Sequence, residues 1–226
     1  MRFLRILISS LLVLAASYPT SEILNGFVRT TADPKTVNIS VIDETTAKNL
    51  FAEFETHKEI PFRYPVDGCY ARATAMSLIA ERENIFMGKV FVEGDLQAKL
   101  DSKKFPTQKW GWHIAPIAYV KDQTGKMQVE VFDPSLFGQP VPVEEFEQRV
   151  IYADPAHPKY VPQIKSIYYG DRFQAYYRGW KTEVYKSAWV QADLATANKM
   201  MAKFSKKQDF NEKLPDVPSA TDKTVQ

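Results

Sequence analysis

From Asp43 onward the apolar residues recur with helical spacing: Ala47, Leu50, Phe51 and Phe54 fall at i, i+3, i+4 and i+7. Asp43 is placed to cap this helix, and Glu44 suits its positive end. "IPFRYPVDG" then breaks it with two prolines and an Asp-Gly turn. From Cys69 to about Asn84 the pattern is helical again. Ala71, Ala73, Ala75, Met76, Leu78 and Ile79 make this a central, mostly buried helix. Period-two stretches predict strands at "VNISVI" (Val37 to Ile42), "KVFVEGDL", "WHIAPIAYV" (Trp112 to Val120) and "MQVEVFDP" (Met127 to Pro134). The last two form a hairpin through "KDQTGK", where Gly125 suits a bulge, and Pro116 predicts an edge or irregularity. A short helical turn is expected near Glu144 to Val150, then a Tyr-rich, irregular region from His157 to Trp180. Ala188 to Lys206 reads as a late helix with Leu194, Ala197, Met201 and Phe204 on one side. With no internal repeat, the order of elements describes one α+β domain.

Composition narrows the function classes. Of 226 residues, 45% are hydrophobic, which is ample for a packed core, and the formal charge of +2 is spread without long runs. That balance makes no electrostatic case for nucleic acid or an anionic membrane. Arg2 and Arg5, the apolar run Ile6 to Ala16 and the small residues Ala15-Ala16-Ser17 read as a signal peptide over residues 1–17. The alternative is an uncleaved N-terminal anchor. Cleavage would remove two arginines and no acid, leaving a nearly neutral secreted or periplasmic protein. Residues 18–42 are then a linker or short leader, 43–206 the domain, and 207–226 a mobile polar tail.

The single cysteine, Cys69, cannot form an internal disulfide. Its position matters more, because unpaired N–H groups and the helix dipole at a helix start favour a thiolate and can stabilise an oxyanion. A lone cysteine also fits a small buried hydrophobe, so a base must be sought. His57 and His157 lie in polar surroundings, whereas His113 sits in the aromatic-flanked strand "KWGWHIA". A turn centred on Gln123 would set Asp133 opposite His113 on the same face, with a slip of one or two residues allowed. Cys69, His113 and Asp133 would then form a thiol, imidazole and carboxylate triad. Trp110 and Trp112, beside His113, are candidates for a pocket wall. No zinc-ligand spacing or Gly-rich phosphate loop is present, so no cofactor or metal is expected. Glu144-Glu145 read as a solvated helix face, and the tyrosine pairs at 168–169 and 176–177 as strand packing.

"FRYPVDGCYARA" with Met76 three residues beyond, "WGWHIA" and "FDPSLF" resemble, in order, the three catalytic blocks of the bacterial protein-glutaminase family. "FVEGDLQAKL" is also similar to a segment of that family, and the resemblance runs from Thr45 to Phe137. It implies a papain/transglutaminase-like fold with the thiol at the N-terminus of a central helix packed on an antiparallel sheet. It matches the catalytic cysteine, histidine and aspartate to Cys69, His113 and Asp133. The implied reaction converts glutamine side chains of proteins or peptides to glutamate and ammonia, without a cofactor, in a protein expected to be monomeric. Two departures stand out. The secreted enzymes of this family carry disulfides, and they carry a long inhibitory pro-region where only about 25 to 30 residues separate the signal peptide from the first helix here. The triad also serves transglutaminases and papain-like peptidases, and a secreted binding protein could retain the same fold.

Overall fold

The computed structural model describes residues 22–26, 37–171 and 187–216. The predicted signal peptide, much of the leader, Tyr176, Tyr177 and Trp180 lie outside the described residues. Strands β1 (Glu22–Gly26) and β2 (Val37–Asp43) lead into helix α1 (Glu44–Thr56) and then α2 (Cys69–Arg82). The long strands β3 (Gly88–Lys99) and β4 (Thr107–Lys121) follow, with β5 (Met127–Val131) and the two-residue β6 (Val141–Pro142). Helix α3 (Val143–Val150), strand β7 (Gln163–Asp171) and helix α4 (Ser187–Ser205) complete the order.

β4 is the spine of the sheet, whose main path runs β1-β2-β4-β3-β7. It pairs antiparallel with β3 and with β5, while β2 joins its far end in parallel at Val41 to Tyr119. The leader segment at 22–26, read from sequence as a linker, is a strand antiparallel to β2. β3 carries a register shift between Glu93 and Leu96, opposite Gly111. There a side chain on Gly94 would meet the backbone carbonyl of Gln163 at 2.1 Å. No helix among the described residues is long and apolar enough to cross a membrane.

The helices form as their sequences require. Asp43 caps α1 by accepting from Thr46 N at 2.7 Å, and Ala47, Leu50, Phe51 and Phe54 are buried. Phe51 and Phe54 both pack on Phe132, each with ring centroids 6.3 Å apart, which fixes the chain next to Asp133. α2 lies between β4 and α4 and is buried over most of its length. Asn84, at φ 58°, takes the left-handed conformation beyond its end, and Ile85 N donates back to Ala80 O.

The polar C-terminal region departs from expectation. From Lys207 a mobile tail is predicted, yet the chain stays docked through Leu214. Gln208 is buried and donates to Lys58 O at 2.7 Å. Arg63 Nε donates to Glu212 O at 2.7 Å, and the Glu212 carboxylate accepts from Lys103 N and Lys104 N. These are single contacts between distant parts of the chain, which local polarity does not reveal.

Candidate active site

Cys69 is the first residue of α2, buried and free. The chain enters it through Gly68 at φ 80°, a left-handed conformation that other residues rarely adopt. An added Cβ there would meet the Phe204 ring at 2.6 Å, so both conformation and space call for glycine. The first N–H groups of the helix have no acceptor within it, and Cys69 stands among them.

His113 projects from β4, opposite Val92 of β3, and is 1% exposed. Its Nε2 lies 2.7 Å from Asp133 Oδ2. The hairpin register differs from the one predicted. Ile117 pairs with Val131 and Phe132 N donates to Pro116 O, a shift of two residues that ends the ladder before Asp133. A two-residue shift keeps every side chain on its own face, so Asp133 still reaches His113 diagonally.

The carboxylate is held from both sides. Oδ1 accepts from the Ser135 backbone N–H at 3.0 Å and from Ser135 Oγ at 2.5 Å, leaving Oδ2 for the imidazole. The imidazole is sandwiched as well. Trp110 stacks on it at 4.8 Å and Phe146 of α3 at 5.9 Å. Trp110 also donates its indole N–H to Pro65 O at 3.0 Å, tying the histidine strand to the loop before Cys69. Trp110 therefore supports the imidazole. Trp112, half-buried, lies against Tyr70, the residue after Cys69, with centroids 6.2 Å apart.

Burial acts against a charged His113 and is the largest influence on it. Hydrogen bonding and charge from Asp133 and Cys69 outweigh it and raise the imidazole to about 9. Asp133 is held below its ordinary value. Burial opposes ionisation, but the His113 hydrogen bond, the charges of His113 and Arg72, and the Ser135 hydroxyl overcome it. With Nε2 engaged by Asp133, Nδ1 is the ring nitrogen left for Cys69. It is buried and has no hydrogen-bond partner among the described residues.

The other histidines stand apart: His57 bonds Glu59 at 2.7 Å and the exposed His157 bonds Asp154 at 2.9 Å. Glu144 and Glu145 are exposed, and Tyr168 stacks on Phe91 at 5.2 Å. Sequence reasoning missed Ser135, Phe146 and Arg72. Ser135, two residues after Asp133, carried a usable signal, since a serine there commonly closes a turn onto an aspartate.

Residues 47–150 match the family model described as Glutaminase, a span that includes Cys69, His113 and Asp133. Together with the solved structures that follow, this match supports the protein-glutaminase family for the chain. A crystal structure of protein-glutaminase is 27% identical and aligns over 78% of this chain and 95% of its own, with a TM-score of 0.60. The NMR structure of protein-glutaminase from Chryseobacterium proteolyticum is 26% identical over 79% and 96%, with a TM-score of 0.61. A crystal structure of pro-protein-glutaminase is 25% identical over 86% of this chain and 67% of its own, with a TM-score of 0.61. No curated protein matches the chain.

Proposed function

We propose that this member of the protein-glutaminase family deamidates glutamine side chains of proteins or peptides, using Cys69 as nucleophile, His113 as acid and base, and Asp133 to orient the imidazole. The observation that carries the reading is the buried His113–Asp133 pair beside a thiol at a helix start, in a chain of this family. We read the fold as a papain/transglutaminase-like core with the thiol at the head of its central helix.

In the proposed reaction the Cys69 thiolate attacks the carboxamide carbon. The negative charge moves to the amide oxygen, which the Cys69 backbone N–H meets. The protonated His113 gives its proton to the nitrogen as the C–N bond breaks, and ammonia leaves a thioester. Water, losing a proton to His113, attacks the thioester carbon; the C–S bond breaks, freeing glutamate and the thiolate. Asp133 holds the tautomer that keeps Nδ1 toward the sulfur. A raised imidazole suits the first half of this cycle, because it arrives carrying the proton that ammonia needs. We further propose that residues 1–17 direct export and that the released protein acts as a monomer.

The test is incubation of residues 18–226, and of Cys69→Ala, with a casein. Ammonia and the small mass gain of amide-to-acid conversion are expected from the first and not from the second. Ammonia with cross-linked products would mean a transglutaminase, fragments without ammonia a peptidase, and an inert chain with an unreactive Cys69 a binding protein.

A further inference from the structure

We propose that Arg72 is a positioning residue for the oxyanion donor: from inside α2 it holds the peptide before Gly68, and so sets the direction of the Cys69 N–H. This rests on the function proposed above.

Arg72 is 1% exposed and one of the largest fully buried side chains, three residues after Cys69 in the first turn of α2. That is an unfavourable place for a cation, because the positive end of the helix dipole lies there. Arg72 forms no ion pair among the described residues, and its Nη2 is buried with no hydrogen-bond partner. Buried charges are normally paired, and a methionine or leucine would fill the same space without stranding an N–H group. Packing alone does not account for a guanidinium here.

Its hydrogen bonds do. Arg72 Nη1 donates to Asp67 O at 2.8 Å and to Tyr64 O at 3.1 Å. The other end of the same peptide unit, Gly68 N, donates to the Asp67 side chain at 2.6 Å. The Asp67–Gly68 peptide is thereby pinned through both its carbonyl and its N–H. In the next unit, Gly68 O accepts from Ala71 N and Arg72 N, each at 3.0 Å. Both planes around Gly68 are then fixed, and the Cys69 N–H has its direction before substrate arrives. Glycine at φ 80° has backbone freedom to lose, so an external hold has most effect at this residue. The guanidinium also adds positive charge near Asp133, which helps keep that carboxylate ionised.

Arg72→Met and Arg72→Lys are compared with wild type by steady-state kinetics on a casein and by the rate of Cys69 alkylation with iodoacetamide. Alkylation reads the thiolate and needs no oxyanion donor. For Arg72→Met, kcat is expected to fall about 100-fold, the scale of a small misplacement of a catalytic group. KM and the alkylation rate should stay within about threefold. Arg72→Lys, which keeps the cation and one donor, should recover about 10-fold of the loss. It carries the same test if Arg72→Met does not fold. Equal losses in kcat and alkylation would overturn the proposal, since Arg72 would then act on the thiol. Wild-type kcat in a folded Arg72→Met would overturn it too. An inactive wild type would instead remove the parent reading.

Discussion

At the scale of single residues, the site places a carboxylate, an imidazole and a thiol in a setting where burial penalises every charge. His113 and Asp133 remain a mutually charged pair because each supplies what burial removes from the other. The consequence for pH has a definite sign. His113 rises from its ordinary 6.5 to about 9 on folding, so its contribution to stability is complete below 6.5 and is lost as pH rises through about 9. Asp133 is lowered, so its contribution is present above the ordinary 3.8 and is lost as pH falls through its folded value. Both are therefore in place between about 4 and 6.5. Thermal melts of wild type and His113→Gln should differ most in that window, and the gap should narrow as pH passes about 9. Activity follows the same proton: kcat/KM should keep its plateau to about pH 9, where the acid for ammonia departure is lost. A basic limb centred near 6.5 would refute the pairing of His113 with Asp133 and Cys69 as the source of its charge.

At the scale of elements, the junction between the 57–68 loop and α2 determines whether the thiol is presented correctly. Gly68 combines a left-handed backbone with contact against Phe204, which itself stacks on Tyr64 at 5.3 Å. Gly68→Ala should cost about 1–2 kcal/mol for the backbone alone, and more if Phe204 must move. Chemical denaturation should show that loss together with a fall in kcat. A variant with unchanged stability and kcat would mean that neither the conformation nor the contact matters. Much at this scale was legible. Asp43 reads as a cap because its bond to Thr46 is local, and the burial of α1 follows its spacing. The hairpin also announced itself, and Asp133 was found through a register two residues off because side-chain alternation tolerates that error. Arg72 was not legible. An arginine amid alanines reads as solvent-facing, and only the fold brings the 57–68 loop over it. Phe146 was hidden for a similar reason, since its contact with His113 spans separate elements.

At the scale of the whole molecule, with a single cysteine and no disulfide to brace it, the loop before Cys69 is held by distant parts of the chain. Trp110 holds Pro65 from β4, Arg72 holds Tyr64 and Asp67 from α2, and the C-terminal segment holds the rest. In that segment Gln208 binds Lys58 O, Glu212 O accepts from Arg63, and the Glu212 carboxylate takes the N–H groups of Lys103 and Lys104. Glu212 thus ties the 57–68 loop to the β3–β4 connection, and Phe105 of that connection packs edge-on against Tyr64 at 6.0 Å. Among the described residues, removing 207–226 would break four hydrogen bonds to the 57–68 loop and the β3–β4 connection, of which two are long at 3.2 Å. At about 1 kcal/mol for each good bond, the loss is about 2–4 kcal/mol, or roughly 5–10 °C in Tm for a domain of this size. α4 ends at Ser205, before the cut, so the fold should survive while the loop loosens. Hydrogen exchange should accelerate at residues 58–67 and 101–106 but not in β3 or β4, and kcat should fall more than KM rises. Glu212→Ala should reproduce the faster exchange at 101–106 and leave Ile60 N, which donates to His57 O, as protected as in wild type. Unchanged exchange and kcat in the shortened chain would show that Trp110, Arg72 and α4 hold the 57–68 loop without it and that the docked segment is a passive cover.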